Sequence, residues 1–144
     1  MSIQSKILVS LQFFCITYFI FFTDFLGQGW ILFLQITGFL LSLWAVIIMK
    51  PGRFNIQPEI KPNATFIRLG PYRLIRNPMY AGLIIIFGCS ALNNHKIIEI
   101  LIFMMLVGVL IIKIQLEEKY LSELFGEDYV NYKKRTHRLI PFIY

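Results

Sequence analysis

The sequence predicts an all-α integral membrane bundle of about four transmembrane helices, followed by an amphipathic C-terminal helix on the cytoplasmic side. Three observations carry this. Hydrophobic residues make up 57% of the 144-residue chain, more than a soluble domain of this size buries. The apolar residues fall into four blocks, 7–26, 30–49, 79–92 and 97–116. The basic residues gather between the second and third blocks and after the fourth, which is the pattern of cytoplasmic loops.

Three of the blocks approach the ~20 residues a helix needs to cross ~30 Å of hydrocarbon. The first begins after Lys6, but its apolar run is about twice the length of a signal-peptide core and has no small-residue cleavage site, so it reads as a retained span. The third block is shorter and spans if it tilts little and Lys96 snorkels outward. Trp30, beside Gly27 and Gly29, sits where an interfacial aromatic anchor belongs. After Glu118, the positions Leu121, Phe125, Tyr129 and Tyr132 recur at helical spacing among charges, which predicts an amphipathic surface helix broken at Gly126.

Lys50, Arg53, Lys61, Arg68, Arg73 and Arg76 lie between blocks two and three, and Lys119, Lys133, Lys134, Arg135 and Arg138 follow block four. Both termini are therefore expected in the cytoplasm. The net charge of +6 is a topology signal and an attraction to anionic lipid, with no soluble basic domain that would take nucleic acid. Cys15 and Cys89 lie inside spans without CxxC spacing and read as apolar packing. His95 and His137 fall on opposite sides of the membrane and cannot share a metal, so no metal is expected. Gly38, Ser42, Gly82 and Gly108 are small residues suited to close helix approach, within one chain or between two. One domain, 1–144, is expected, with an N-terminal hairpin at 7–49 and a functional part at 50–144.

The stretch RLGPYRLIRNPMYAG, from residue 68, concentrates polar chemistry at the mouth of block three. Asn77-Pro78 places a capping side chain before a proline suited to the first helical position. The N–H groups of Met79, Tyr80 and Ala81, the helix dipole and Arg76 would then form an anion-binding corner, with Tyr72 and Tyr80 adding aromatic faces. At the far end of block four, Lys113, Glu117 and Tyr120 share one helix face. Lys113 falls inside the apolar run, where an ionisable residue is a functional candidate. Glu99 reads as a boundary residue.

The order GPYRLIRNPMYAG, a helical hairpin, then LEEKYLSELFGEDYVNYKKR resembles the carboxyl-terminal half of the isoprenylcysteine carboxyl methyltransferase family, which is similar to membrane phospholipid methyltransferases. The resemblance covers roughly residues 50–144. It implies S-adenosylmethionine-dependent methyl transfer to a small or lipid-embedded acceptor at the cytoplasmic membrane face. It carries cofactor contacts onto Gln57, Thr65, Phe66, Ile67, Tyr72, Asn77, Pro78, Met79, Tyr80 and Glu117. The substrate-contacting arginine of the family falls at Lys113, and with Glu117 and Arg76 this completes the expected catalytic set. Asn77 stands where eukaryotic members have histidine, and Lys113 keeps the charge without the bidentate fork that suits a carboxylate. The acceptor stays open among carboxylate, amine, thiol and phenol. A nicotinamide-dependent membrane reductase of related fold and a non-catalytic scaffold are the alternatives. The short chain, without a retention signal, fits a prokaryotic inner membrane.

Overall fold

The computed structural model describes residues 3–49 and 67–141, and Gln57, Thr65 and Phe66 lie outside them. Helices α1 (Ile3–Phe22), α2 (Trp30–Met49) and α4 (Ile97–Phe125) are each long and apolar enough to cross a membrane, and α3 (Pro78–Asn94) is a shorter apolar helix. A 3₁₀ turn, Gly70–Arg73, precedes α3, and α5 (Glu127–Arg135) follows α4. At 17 residues α3 rises about 25 Å, slightly less than the hydrocarbon thickness.

Across the bundle the order is α2, α3, α4, α1, with α1 also touching α3. The core between α1, α3 and α4 holds Phe19, Ala81, Phe87, Leu106, Leu110 and Ile114. Small residues let α2 and α3 meet: a Cβ at Gly38 would lie 2.9 Å from the Gly82 carbonyl oxygen, and one at Gly82 would overlap Ser42 Oγ. Gly38, Ser42 and Gly82 thus serve packing within the chain, whereas a Cβ at Gly108 meets nothing within 4 Å. Cys15 and Cys89 are buried, and Trp30 is exposed at the start of α2.

A buried amide organises the end of the bundle where α1 turns into α2. Gln35 accepts from the Gly27 N–H at 2.9 Å and donates to the Phe25 carbonyl at 2.7 Å. The side chains of Asn93 and Asn94, at the end of α3, donate to the Asp24 carbonyl at 3.3 and 3.2 Å. Glu99, read as a boundary residue, is fully buried here. It lies in the first turn of α4, where the helix dipole favours an acid, and Lys96 Nζ reaches it at 3.6 Å from an exposed position.

The opposite end differs from expectation in one further respect. Helix α4 continues without interruption to Phe125, so Leu121 and Phe125 belong to it rather than to a separate surface helix. The break falls at Gly126, whose φ of 52° lies in the positive range that glycine adopts freely. Tyr129 and Tyr132 of the short α5 are buried against the bundle.

Candidate active site

The site begins at the 3₁₀ turn. Gly70, at φ 57°, turns the chain against Trp44 and Ile48 of α2, and Pro71 supplies the fixed φ of the first turn position. Residues 74–77 then pair with the segment that follows α5. The Arg76 N–H donates to the His137 carbonyl at 2.7 Å, the His137 N–H to the Leu74 carbonyl at 2.9 Å, and the Asn77 N–H to the Arg138 carbonyl at 3.1 Å. Ile75 and His137 form a single parallel bridge. Tyr132 Oη donates to the Tyr72 carbonyl at 2.5 Å, which adds a side-chain attachment.

Beneath this pairing lies Glu118, 3% exposed. Its Oε1 accepts from Arg76 Nε at 2.8 Å, its Oε2 accepts from Arg138 Nε at 3.1 Å, and Lys133 Nζ stands 3.9 Å from Oε2. Arg76 Nη1 also donates to the carbonyls of Lys133 and Thr136. Arg76 therefore spends its fork on a carboxylate and on the end of α5, and the structure places it as an anchor of the C-terminal segment. Asn77 precedes α3 as expected, but its side chain does not cap the helix: Asn77 Nδ2 donates to the Arg138 carbonyl at 3.2 Å. The Ala81 N–H donates to the Asn77 carbonyl at 3.0 Å, so it is not one of the unpaired groups of the expected corner.

One residue earlier on α4 the environment changes. Tyr80 Oη, on the first turn of α3, donates to Glu117 Oε1 at 2.5 Å. Among the described residues no hydrogen bond to Glu117 Oε2 is found. Lys113, one turn back along α4 and 1% exposed, holds its ammonium 5.3 Å from the centroid of the Tyr80 ring. Its Nζ donates to Gln12 Oε1 of α1 at 2.6 Å. Tyr72 completes the group from the 3₁₀ turn; its phenol is pushed above the ordinary value by burial first, and then by the negative charge of Tyr132 and Glu117.

Of the expected residues, the structure brings together Lys113, Glu117, Tyr80 and Tyr72. Pro78 is fully buried at the start of α3, and the Met79 carbonyl accepts from Ser42 Oγ of α2 at 3.3 Å. Ile67 is half-buried at the edge of the described residues. Two contributors were missed from sequence. Gln12 is a lone amide on the face of α1 that buries Leu8, Cys15 and Phe19, a signal available in the pattern. Glu118 was overshadowed by its neighbour, although the excess of basic residues after block four called for a buried acid.

The arrangement can bind a group bearing hydroxyl or ammonium donors at Glu117 Oε2, and it holds the Lys113 amine over the same Tyr80 ring whose hydroxyl meets Glu117. The sequence model of the phospholipid methyltransferase family matches residues 25–128, from the α1–α2 turn through the start of α5. The methanethiol S-methyltransferase of Pseudomonas deceptionensis is 32% identical over 114 residues, covering 78% of this chain and 42% of that protein. The methanethiol S-methyltransferase of Crocosphaera subtropica is 26% identical over 125 residues, 86% of this chain and 48% of its own length. Methanethiol S-methyltransferase 1 of Bradyrhizobium diazoefficiens is 35% identical over 71 residues, 49% of this chain and 24% of that protein. The chain thus spans less than half the length of these curated relatives. The matched stretch contains Tyr72, Tyr80, Lys113, Glu117 and Glu118, and on it this chain belongs to the phospholipid methyltransferase family.

Proposed function

We propose that this chain is an S-adenosylmethionine-dependent membrane methyltransferase whose acceptor is a small thiol, methylated in its anionic form at the cytoplasmic face. The observation that carries this reading is the grouping of Glu117, Tyr80 and Lys113 at one end of the bundle. The names of the relatives, each a methanethiol S-methyltransferase, supply the acceptor class.

The residues fit the cofactor by the chemistry of their donors and acceptors. Glu117 offers a carboxylate oxygen to an ammonium or a ribose hydroxyl, while the Tyr80 hydroxyl fixes the other oxygen. The aromatic faces of Tyr72 and Tyr80 suit a sulfonium cation. Gln57, Thr65, Phe66 and Ile67 are proposed to complete the cofactor contacts, and Asn77, Pro78 and Met79 to shape the opening. When bound, S-adenosylmethionine supplies an electrophilic methyl group. Arg76 acts here as a positioning residue, holding the C-terminal segment over the site through Glu118.

Lys113 does the remaining work. A buried ammonium favours the thiolate over the thiol, and the thiolate is the nucleophile. Burial among apolar helices keeps water from the acceptor, and the reaction is an alignment problem in a dry site.

The test is calorimetric titration of the detergent-purified full chain with S-adenosylmethionine, followed by incubation with methanethiol and detection of dimethyl sulfide. Saturable binding that Glu117→Ala abolishes, together with product formation, is the expected result. Folded protein that binds no S-adenosylmethionine overturns the methyltransferase reading, and binding without a methylated thiol overturns the acceptor.

A further inference from the structure

We propose that Gln12 of α1 is a positioning residue that fixes the Lys113 ammonium at the acceptor side of the site, which makes α1 part of the catalytic unit. This rests on the proposed methyl transfer to a thiol. Helix α1 lies wholly before the stretch that matches the family, so neither the match nor the sequence resemblance assigns it a role.

The face of α1 turned toward the bundle carries Ser5, Leu8, Gln12, Cys15 and Phe19. An amide in the middle of such a face is costly in hydrocarbon unless it is partnered. Gln12, 7% exposed, meets Lys113 across 101 residues of sequence at 2.6 Å. Lysine has a long flexible stem, and near the end of a span its ammonium normally extends to the interface. Here the Gln12 oxygen of α1 and the Tyr80 ring of α3 hold it back at depth. Gln12 is neutral, so it localises the cation without cancelling its charge, as a carboxylate at the same place would.

The experiment compares wild type, Gln12→Met, Gln12→Glu, Lys113→Met and the Gln12→Met/Lys113→Met pair in the full chain. Gln12→Met keeps the volume and removes the acceptor oxygen. It is expected to leave S-adenosylmethionine affinity within about twofold and to lower kcat/KM for methanethiol at least tenfold, about 1.4 kcal/mol. In the Lys113→Met background the same change is expected to have no further effect. Gln12→Glu keeps an acceptor oxygen at the same place and is expected to keep Lys113 in position. Equal losses from Gln12→Met in both backgrounds, or no loss in either, overturn the proposal.

A second readout is independent of turnover. Reductive methylation of the folded protein with formaldehyde, quantified by mass spectrometry, is expected to modify Lys113 at least threefold faster in Gln12→Met than in wild type or Gln12→Glu, with exposed Lys96 unchanged. Equal Lys113 modification in all three overturns the positioning role. If wild type methylates no thiol, the functional reading falls, and this measurement still decides the role of Gln12.

Discussion

Glu117 and Glu118 are adjacent on one helix, yet they do opposite work. Glu118 is enclosed by Arg76, Arg138 and Lys133, and both of its oxygens are taken. Glu117 points to Tyr80 and Lys113, with one oxygen bonded by a phenol. A step of one residue turns a side chain by about 100° around a helix. That rotation separates a carboxylate that fastens the fold from the one proposed to hold the cofactor. The comparison teaches that, of two adjacent acids, it is the saturation of hydrogen bonding that marks Glu118 as the one fastening the fold.

The largest effect expected is from Glu118→Ala. It strands Arg76, whose side chain is only 9% exposed, and loosens Arg138, so the cost is on the order of 3–5 kcal/mol and appears as a large fall in thermal unfolding temperature in detergent. Ligand binding should be lost with it. Glu117→Gln sharpens the contrast. The unfolding temperature should stay within a few degrees of wild type, while affinity for S-adenosylmethionine drops at least tenfold by calorimetry, about 1.4 kcal/mol. A large loss of stability in Glu117→Gln would erase the distinction between the two acids.

The smallest effect concerns the cover over both. Burial pushes the Tyr132 phenol up to about 12, against the opposing pull of Arg76 and Arg68. Its ordinary value in the unfolded chain is about 10. The folded state therefore holds this proton more tightly, and the stabilisation is complete below about pH 10 and lost as pH rises toward 12. Thermal unfolding across that window should show the decline. Tyr132→Phe, which removes the bond to the Tyr72 carbonyl, should cost about 1 kcal/mol and flatten part of the slope.

Much of the fold was legible because hydrophobic blocks and Pro78 act locally. Block three was expected at 79–92 and forms α3 at Pro78–Asn94, starting at its proline. The break at Gly126 was legible for the same reason, since a positive φ is a property of one residue. What escaped were choices between partners distant in sequence. Nothing local says that Asn77 will donate to Arg138 rather than cap its own helix, or that Arg76 will meet Glu118. Lys113 stood out as a charge in an apolar run, whereas Gln12 carries no charge and passed as an ordinary member of its span.

The pairing of residues 74–77 with His137 and Arg138 has a consequence for biosynthesis. The helices can enter the membrane one after another as they are made, but this pairing joins parts of the chain about sixty residues apart, as the Tyr132 to Tyr72 bond does. Closing so long a loop is a late event. The cover over Glu117 and Glu118 therefore cannot form until Arg138 has left the ribosome. Insertion of the helices thus precedes closure of the cover.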